Sequence, residues 1–502
     1  MAVNLIRNSR VFFTTNVNTK GQVRLGAYKA TSGSNNFTSS NTWEIQVLEG
    51  MSFSQNTTVD TVTLNEAGAT PARGQRSFNT ALEPVDFSFS TYLRPYKSAA
   101  GTALTPTTVT AEEKVLWNAF AGAGALGDTT GRIGVQKVVV STAGATGTFT
   151  AATTTVTFSS PASGGSAATG TAIIDSAGIV TGVTITSPGS YLPTDTVTCT
   201  ITDSDAGVET TGTVTVDQLG STTLGGGWNE GWDNGTVSTP AKVLLENSNK
   251  HQLQAFGLII VFDDLTYVID NCALDSATID FGIDAIASIQ WAGKGSAIRQ
   301  VTLAASTASP VVLSGTDIDS STAQQAAAKN TAAKYITNKL STLQVNNTIN
   351  DFTDSDYVVP ITGGNITLSN NLTYLTPANL GTVNLPITYF TGTHSITGTL
   401  TAYLRSGTAN TAGLLDSLLT GAATEINPDF AINIQLGGGS NSTRVDFKIP
   451  AAMVQIPTVN TEQVISTTIT FTGQGWSGAT GTNKFSIDEA NEISINYYAT
   501  AA

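Results

Sequence analysis

The chain has 502 residues, 40% of them hydrophobic and 12% charged, with a formal net charge of −14 and two cysteines. An acidic chain without a basic run has no electrostatic grip on phosphate, which takes clustered Lys and Arg. Cys199 and Cys272, far apart and in different contexts, make neither a disulfide framework nor a metal set.

Short Val/Ile/Phe/Thr runs between Gly and Asn turns, in a Thr- and Ser-rich background, predict a mainly β protein. The start, MAVNLIRNSRVFFTTN, lacks the apolar core of a signal peptide. The longest apolar run, Phe256–Phe262 (FGLIIVF), is too short to span a bilayer. The expectation is a soluble chain folded in a cytoplasm, without membrane anchoring.

In chain order, Leu5–Phe13 (LIRNSRVFF) comes first, and Leu48–Asn56 (LEGMSFSQN) reads as the strand before a long loop. A polar loop follows over 56–76, and then a period-2 strand ending FSFSTYLR at Arg94. TAEEKVLWNAFAGAG predicts a short helix with Val115, Leu116, Ala119 and Phe120 on one stripe. Thr110 with Glu113 reads as its N-terminal cap and Gly122 as its C-cap. Residues 135–220 are nearly free of charge, with short Thr/Val strands, and predict a small inserted β-sandwich projecting from the surface. DSATIDFGIDAIASIQWAGKGSAI resumes the strands and ends on Trp291-Ala-Gly-Lys-Gly. A connector over 306–334, Ala/Gln/Lys-rich in its second half, is expected to be partly helical.

The remainder repeats what came before. YITNKLSTL (Tyr335–Leu343) echoes Leu5–Phe13, and ITGGNITLSNN (Ile361–Asn371) matches Leu48–Asn56. Phe390 stands against Phe78, and ITGTLTAYLR ends on the same Tyr-Leu-Arg, at Arg405. NTAGLLDSLLTGAA predicts a second helix with Leu414, Leu415, Leu418 and Leu419 in the stripe and Gly421 as its C-cap. The finish Gly473-Gln-Gly475-Trp476 parallels the Gly-x-Gly after Trp291. Five ordered matches predict a tandem duplication. The expected domains are 1–134 with 221–305, the insert 135–220, the connector 306–334 and a second copy over 335–502.

No constellation carries catalysis. His251 and His394 lie far apart, and the acid pairs Asp263-Asp264, Glu112-Glu113 and Asp488-Glu489 read as strand or helix-start positions. Asp203-Ser-Asp205-Ala-Gly207 begins like a calcium loop but lacks the further ligands of one and reads as a turn. Gly225–Gly227 and Gly437–Gly439 have no Lys-Ser/Thr helix after them and read as loops. No catalytic, cofactor or metal residue is assigned, and no enzyme is expected.

Thr42–Asn79, the strand and helix order after it, and Ile361–Arg405 resemble the major tail tube proteins of long-tailed bacteriophages. The resemblance implies two tandem tube-like β-sandwich or barrel domains, each with a flanking α-helix, and a decorative Ig-like β-domain as the insert. It implies a structural virion protein of the phage tail, self-assembling through stacked rings into a channel for DNA ejection. Two tube domains per chain imply a trimeric, pseudo-hexameric ring. The implied partners are the chain itself, with loop 56–76 at inter-subunit or inter-ring contacts, and the tape measure, tail terminator and baseplate or tip proteins. Genomic DNA would pass the lumen without sequence-specific binding, past an acidic wall. Arg94 and Arg405 are expected to pair with acids rather than grip DNA. The other class weighed is a carbohydrate- or receptor-binding adhesin or tail decoration protein.

Overall fold

The computed structural model describes residues 9–24, 37, 41–63, 74–97, 107–122, 134–140, 149–161, 165–187, 189, 191–192, 195–204, 208–217, 227–233, 238–245, 253–262, 265–301, 335–347, 356–380, 383–424, 429–438, 442–461, 464–474 and 492–499. It is mainly β, as the composition predicts.

The first run of strands comprises β1 (Ser9–Thr14), β2 (Thr42–Ile45), β3 (Ser52–Ser54) and β4 (Val85–Tyr92), followed by helix α1 (Lys114–Ala121). After further short strands come β5 (Phe256–Phe262), β6 (Leu265–Gly282), β7 (Ser288–Gly295) and β8 (Ala297–Val301). All pairings are antiparallel: β2 to β1, β1 to β5, β5 to the first half of β6, and that half to β8. The second half of β6 pairs with β7, β7 with β4, and β4 with β3. β6 serves both sets by bending at a bulge between Leu274 and Ser276; an extra residue there increases twist and turns the strand. Apolar positions alternate along β4 and β7 and put Phe87, Phe89 and Trp291 into a core with Phe13, Trp43 and Phe256. The rings of Phe13 and Phe256 stack at 4.4 Å.

The second run uses β9 (Thr342–Asn346), β10 (Tyr357–Val359), β11 (Ile361–Ser369), β12 (Ser395–Tyr403) and α2 (Thr411–Thr424). It continues with β13 (Asp429–Gly437), β14 (Arg444–Val454), β15 (Thr458–Asn460), β16 (Ser466–Gln474) and β17 (Ser494–Tyr498). β10 pairs with β9, β9 with β13, β13 with β14, and the start of β14 with β17. The end of β14 and β15 pair with β16, β16 with β12, and β12 with β11. This is the first run's hydrogen-bonding scheme, with β14 and β15 together in the place of β6. A register shift at Phe256/Leu258 between β5 and β6 recurs at Phe430/Ile432 between β13 and β14.

The two runs are joined edge to edge. β6 gives its free flank to β11, from Ser276 opposite Ser369 to Gly282 opposite Gly363. Ala241–Leu244 pairs with β17, and the buried Trp117 Nε1–H donates to Tyr497 Oη at 2.6 Å. Both runs therefore share one continuous hydrophobic core.

Between α1 and β5, Gly134–Val140, Thr154–Phe158, Cys199–Asp203 and Val208–Asp217 form one sheet, and Thr169–Ile174 pairs with Val180–Ser187. These strands enclose a separate apolar cluster of Val135, Val138, Phe149, Phe158, Val180, Tyr191, Cys199 and Ile201. The two ends of the segment are neighbours, because Gly134 stands opposite Asp217.

Several local expectations are corrected. α1 starts after Glu113 without a side-chain cap, because the Thr110 hydroxyl is spent on Glu230. Gly122 is extended rather than left-handed, at φ −135°, and Gly421 lies inside α2. All four stripe residues of α1 are buried, whereas in α2 Leu414 and Leu418 are buried and Leu419 is exposed. Aligning the cross-strand pairs Tyr92/Ser288 and Tyr403/Ser466 puts Gly295 at the place of Gly473, so the Gly-x-Gly match was two residues out of register. Connector residues 306–334 and Trp476 lie outside the described residues.

Candidate assembly surface

Each chemically suggestive residue that the structure describes has a structural use. Asp203 is buried and accepts from the Thr150 N–H at 2.6 Å and from the Thr153 and Thr154 hydroxyls at 3.0 and 3.3 Å, pinning a turn. His394 Nδ1 sits 2.7 Å from Glu492 Oε2 and packs on Phe120. Cys199 and Cys272 are buried, and burial pushes the Cys199 thiol up to about 11 and raises Cys272 well above the usual range, so neither is a nucleophile at neutral pH. Tyr191, the one aromatic singled out in the insert, is buried; its hydroxyl accepts from the Ala168 N–H and donates to the Ser159 carbonyl, so it offers no stacking face for sugar. Among the described residues no group of three or more His, Cys, Asp or Glu could hold a metal ion. His251, Asp205, Asp263-Asp264 and Asp488-Glu489 lie outside the described residues.

The Tyr-Leu-Arg ending lies at a junction. Arg94 pairs with Glu112 at 2.8 Å, as expected of it, and stacks its guanidinium 4.6 Å over the ring of Tyr335. The Tyr92 and Tyr335 rings meet edge-on at 5.3 Å. Residues 335–338, which lead into the second run, lie along the turn between β6 and β7. Ala287 N–H donates to the Ile336 carbonyl, Asn338 N–H to the Ala285 carbonyl, and Asn338 Nδ2 to the Gly282 carbonyl, at 3.0–3.1 Å. Beneath lies a small pocket lined by Gln46, Thr91, Arg94, Glu112 and Glu113. Burial pushes Glu112 up to about 8 despite the attraction of Arg94, and pushes Glu113 up to about 7 against hydrogen bonds that favour its charged form.

The same features in the second run are uncovered. Tyr403, at Tyr92's position, is 48% exposed, and Leu404 N–H donates to the Ile465 carbonyl just as Leu93 N–H donates to that of Ala287. Beside them Val464 is 61% exposed, and Ile456, Val459 and Ile465 are exposed as well. Two sheet edges are also open: among the described residues β3 pairs only with β4, and β15 only with β16. An unpaired strand edge next to exposed apolar side chains is a template for association.

A second exposed feature comes from the long loops. Thr57–Thr63 and Gln75–Leu82 form a hairpin that bares Val59, Val62 and Phe78. The second run's counterpart, Thr373–Leu375 paired with Thr388–Phe390, bares Leu375, Leu385, Ile387 and Phe390. The loops touch where Asn384 exchanges backbone hydrogen bonds with Thr80 and Leu82, at 3.2 and 2.9 Å.

No family model matches the chain. It is similar to the tail tube protein pb6 of Escherichia phage T5, with 25% identity over 474 residues, which cover 94% of this chain and 72% of that protein. The similarity supports a major tail tube protein. A tail tube protein is a structural component of the virion tail. Among the described residues no helix is long and apolar enough to cross a membrane.

Proposed function

We propose that this tail tube protein closes rings of three chains, and that stacked rings form the channel for DNA ejection. The observation behind this is the repeated strand scheme, joined through β6 and β11 and, among the described residues, open at β3 and β15. Residues 1–134 with 221–305 form one tube domain, 335–502 form the second, 306–334 connect them, and 135–220 are a domain inserted in the first. Three chains then present six tube domains around a pseudo-sixfold axis, and closure pairs the edges at β3 and β15. Rings stack through the apolar hairpins 57–82 and 373–390. The tape measure, terminator and baseplate or tip proteins meet the ends of the stack. The protein is not an enzyme, and its net charge of −14 lets DNA pass without adhering. Electron microscopy of the purified protein tests this reading. Stacked annuli with three chains per ring support it; true sixfold rings, or monomers that bind cells, refute it.

A further inference from the structure

We infer that the joint between neighbouring chains copies the β6–β11 strand ladder inside the chain, residue for residue. This rests on the ring reading above and assigns the partner surfaces within it. Inside the chain, β6 carries β11 on its free flank, with Thr278 opposite Thr367, Ile279 opposite Ile366 and Asp280 opposite Asn365. Thr278 and Thr367 hydroxyls meet at 3.2 Å, a cross-strand pair of the kind that fixes register.

The shared pairing scheme says which residues would repeat this. Asp280 stands opposite Ser288 as Asn460 stands opposite Ser466, so β15 occupies the place of the end of β6. Tyr92 pairs with Ser288 as Tyr403 pairs with Ser466; counting back along β4 and β12 places Ser88 at Thr399. Ser52 faces Ser88 as Asn365 faces Thr399, so β3 takes the place of β11. The chain-to-chain ladder therefore sets Thr458 opposite Ser54, Val459 opposite Phe53, and Asn460 opposite Ser52.

The chemistry carries over. Thr278 with Thr367 becomes Thr458 with Ser54, again two hydroxyls, and Ile279 with Ile366 becomes Val459 with Phe53, again two apolar groups. Inside the chain Ile279 and Ile366 are fully buried, whereas Val459 is 37% exposed and Ser52 and Ser54 are exposed, as surfaces awaiting this partner would be.

Disulfide trapping in assembled tubes tests the register, since a bridge needs Cα atoms about 4.4–6.8 Å apart. The full chain carrying Ser54→Cys and Thr458→Cys should cross-link on oxidation into covalent dimers and closed trimers. Ser52→Cys with Thr458→Cys, one diagonal step away, should yield at least tenfold less. The native Cys199 and Cys272 are buried and stay out of the reaction. Threefold rings that cross-link only in another register, or not at all, overturn the joint and leave the ring reading standing. Absence of rings from the unsubstituted protein overturns both.

Discussion

Across β12 and β16 Gly398 faces Phe471, and across β4 and β7 Phe87 faces Gly293. In equivalent positions the ring and the glycine have changed strands, so each strand pair holds one aromatic ring over one bare backbone. The reasoning predicts strong coupling between the two positions. A Cβ on Gly398 would lie 2.2 Å from Phe471 Cζ and 2.9 Å from the Asn365 carbonyl oxygen, so Gly398→Phe alone overpacks the site. Overpacking costs about 1–3 kcal/mol. Phe471 is fully buried; Phe471→Gly alone removes a whole ring, at about 3–5 kcal/mol for the cavity and about 0.5–1 kcal/mol for a strand glycine. Independent effects would sum to roughly 5–9 kcal/mol. The double variant Gly398→Phe with Phe471→Gly restores one ring to the space, as β4 and β7 already have it, and should lose under about 3 kcal/mol, a coupling of about 2 kcal/mol or more. Urea titration of the dissociated subunit, followed by circular dichroism for the wild type, both single variants and the double variant, gives the coupling. Additivity within about 0.5 kcal/mol would refute the swapped-ring account.

Glu112 and Glu113, raised by burial to about 8 and about 7, bind protons more tightly folded than unfolded. Their contribution is fully present below the unfolded carboxylate range and is lost as pH rises through 7–8, with a slope of up to about 1.4 kcal/mol per pH unit for each proton. Melting temperature should therefore fall from pH 5.5 to 8.5, and Glu112→Gln with Glu113→Gln should flatten that fall; an unchanged slope in the double variant contradicts the assignment. Asp203→Ala strips three donors of their acceptor and should expose the 134–217 segment to limited proteolysis while the rest of the chain stays resistant, with calcium making no difference to the wild type. Protection of the wild-type segment by calcium would reinstate the metal reading. Replacing 135–216 by a short Gly/Ser link is geometrically permitted, because Gly134 and Asp217 are paired neighbours. Rings should still form, and their loss would show that the insert is part of the ring wall.

Much of the fold was legible because strands declare themselves by period 2 and because the chain offers itself as its own comparison. Leu48 and Ile361 are matched to the residue: Ser52 faces Ser88 as Asn365 faces Thr399, and Ser52 lies four positions after Leu48 as Asn365 lies four after Ile361. The swapped glycines explain why a Gly-x-Gly match drifted by two residues, since a two-residue slip preserves strand face and pattern while losing register. Helix ends were misread for a different reason. Thr110 is a competent cap by type, but a buried carboxylate on Glu230 took its hydroxyl, and no local pattern announces a partner so far along the chain. The open edges were invisible for the same reason: nothing in β3 or β15 itself says that, among the described residues, β4 and β16 are their only neighbours.

The assembly reading gains most from how the two runs differ. Ala241–Leu244 belongs to the long interval between α1 and β5, and it pairs with β17 of the second run. In the second run α2 is followed within a few residues by β13, and among the described residues no strand of that kind lies between them. The joint within the chain thus carries an extra strand pairing and the Trp117–Tyr497 contact, which the joint between chains cannot reproduce. The six joints around a ring would then alternate between a stronger one and a weaker one. Dissociation should proceed through the weaker set and release whole chains, each with its two runs still joined.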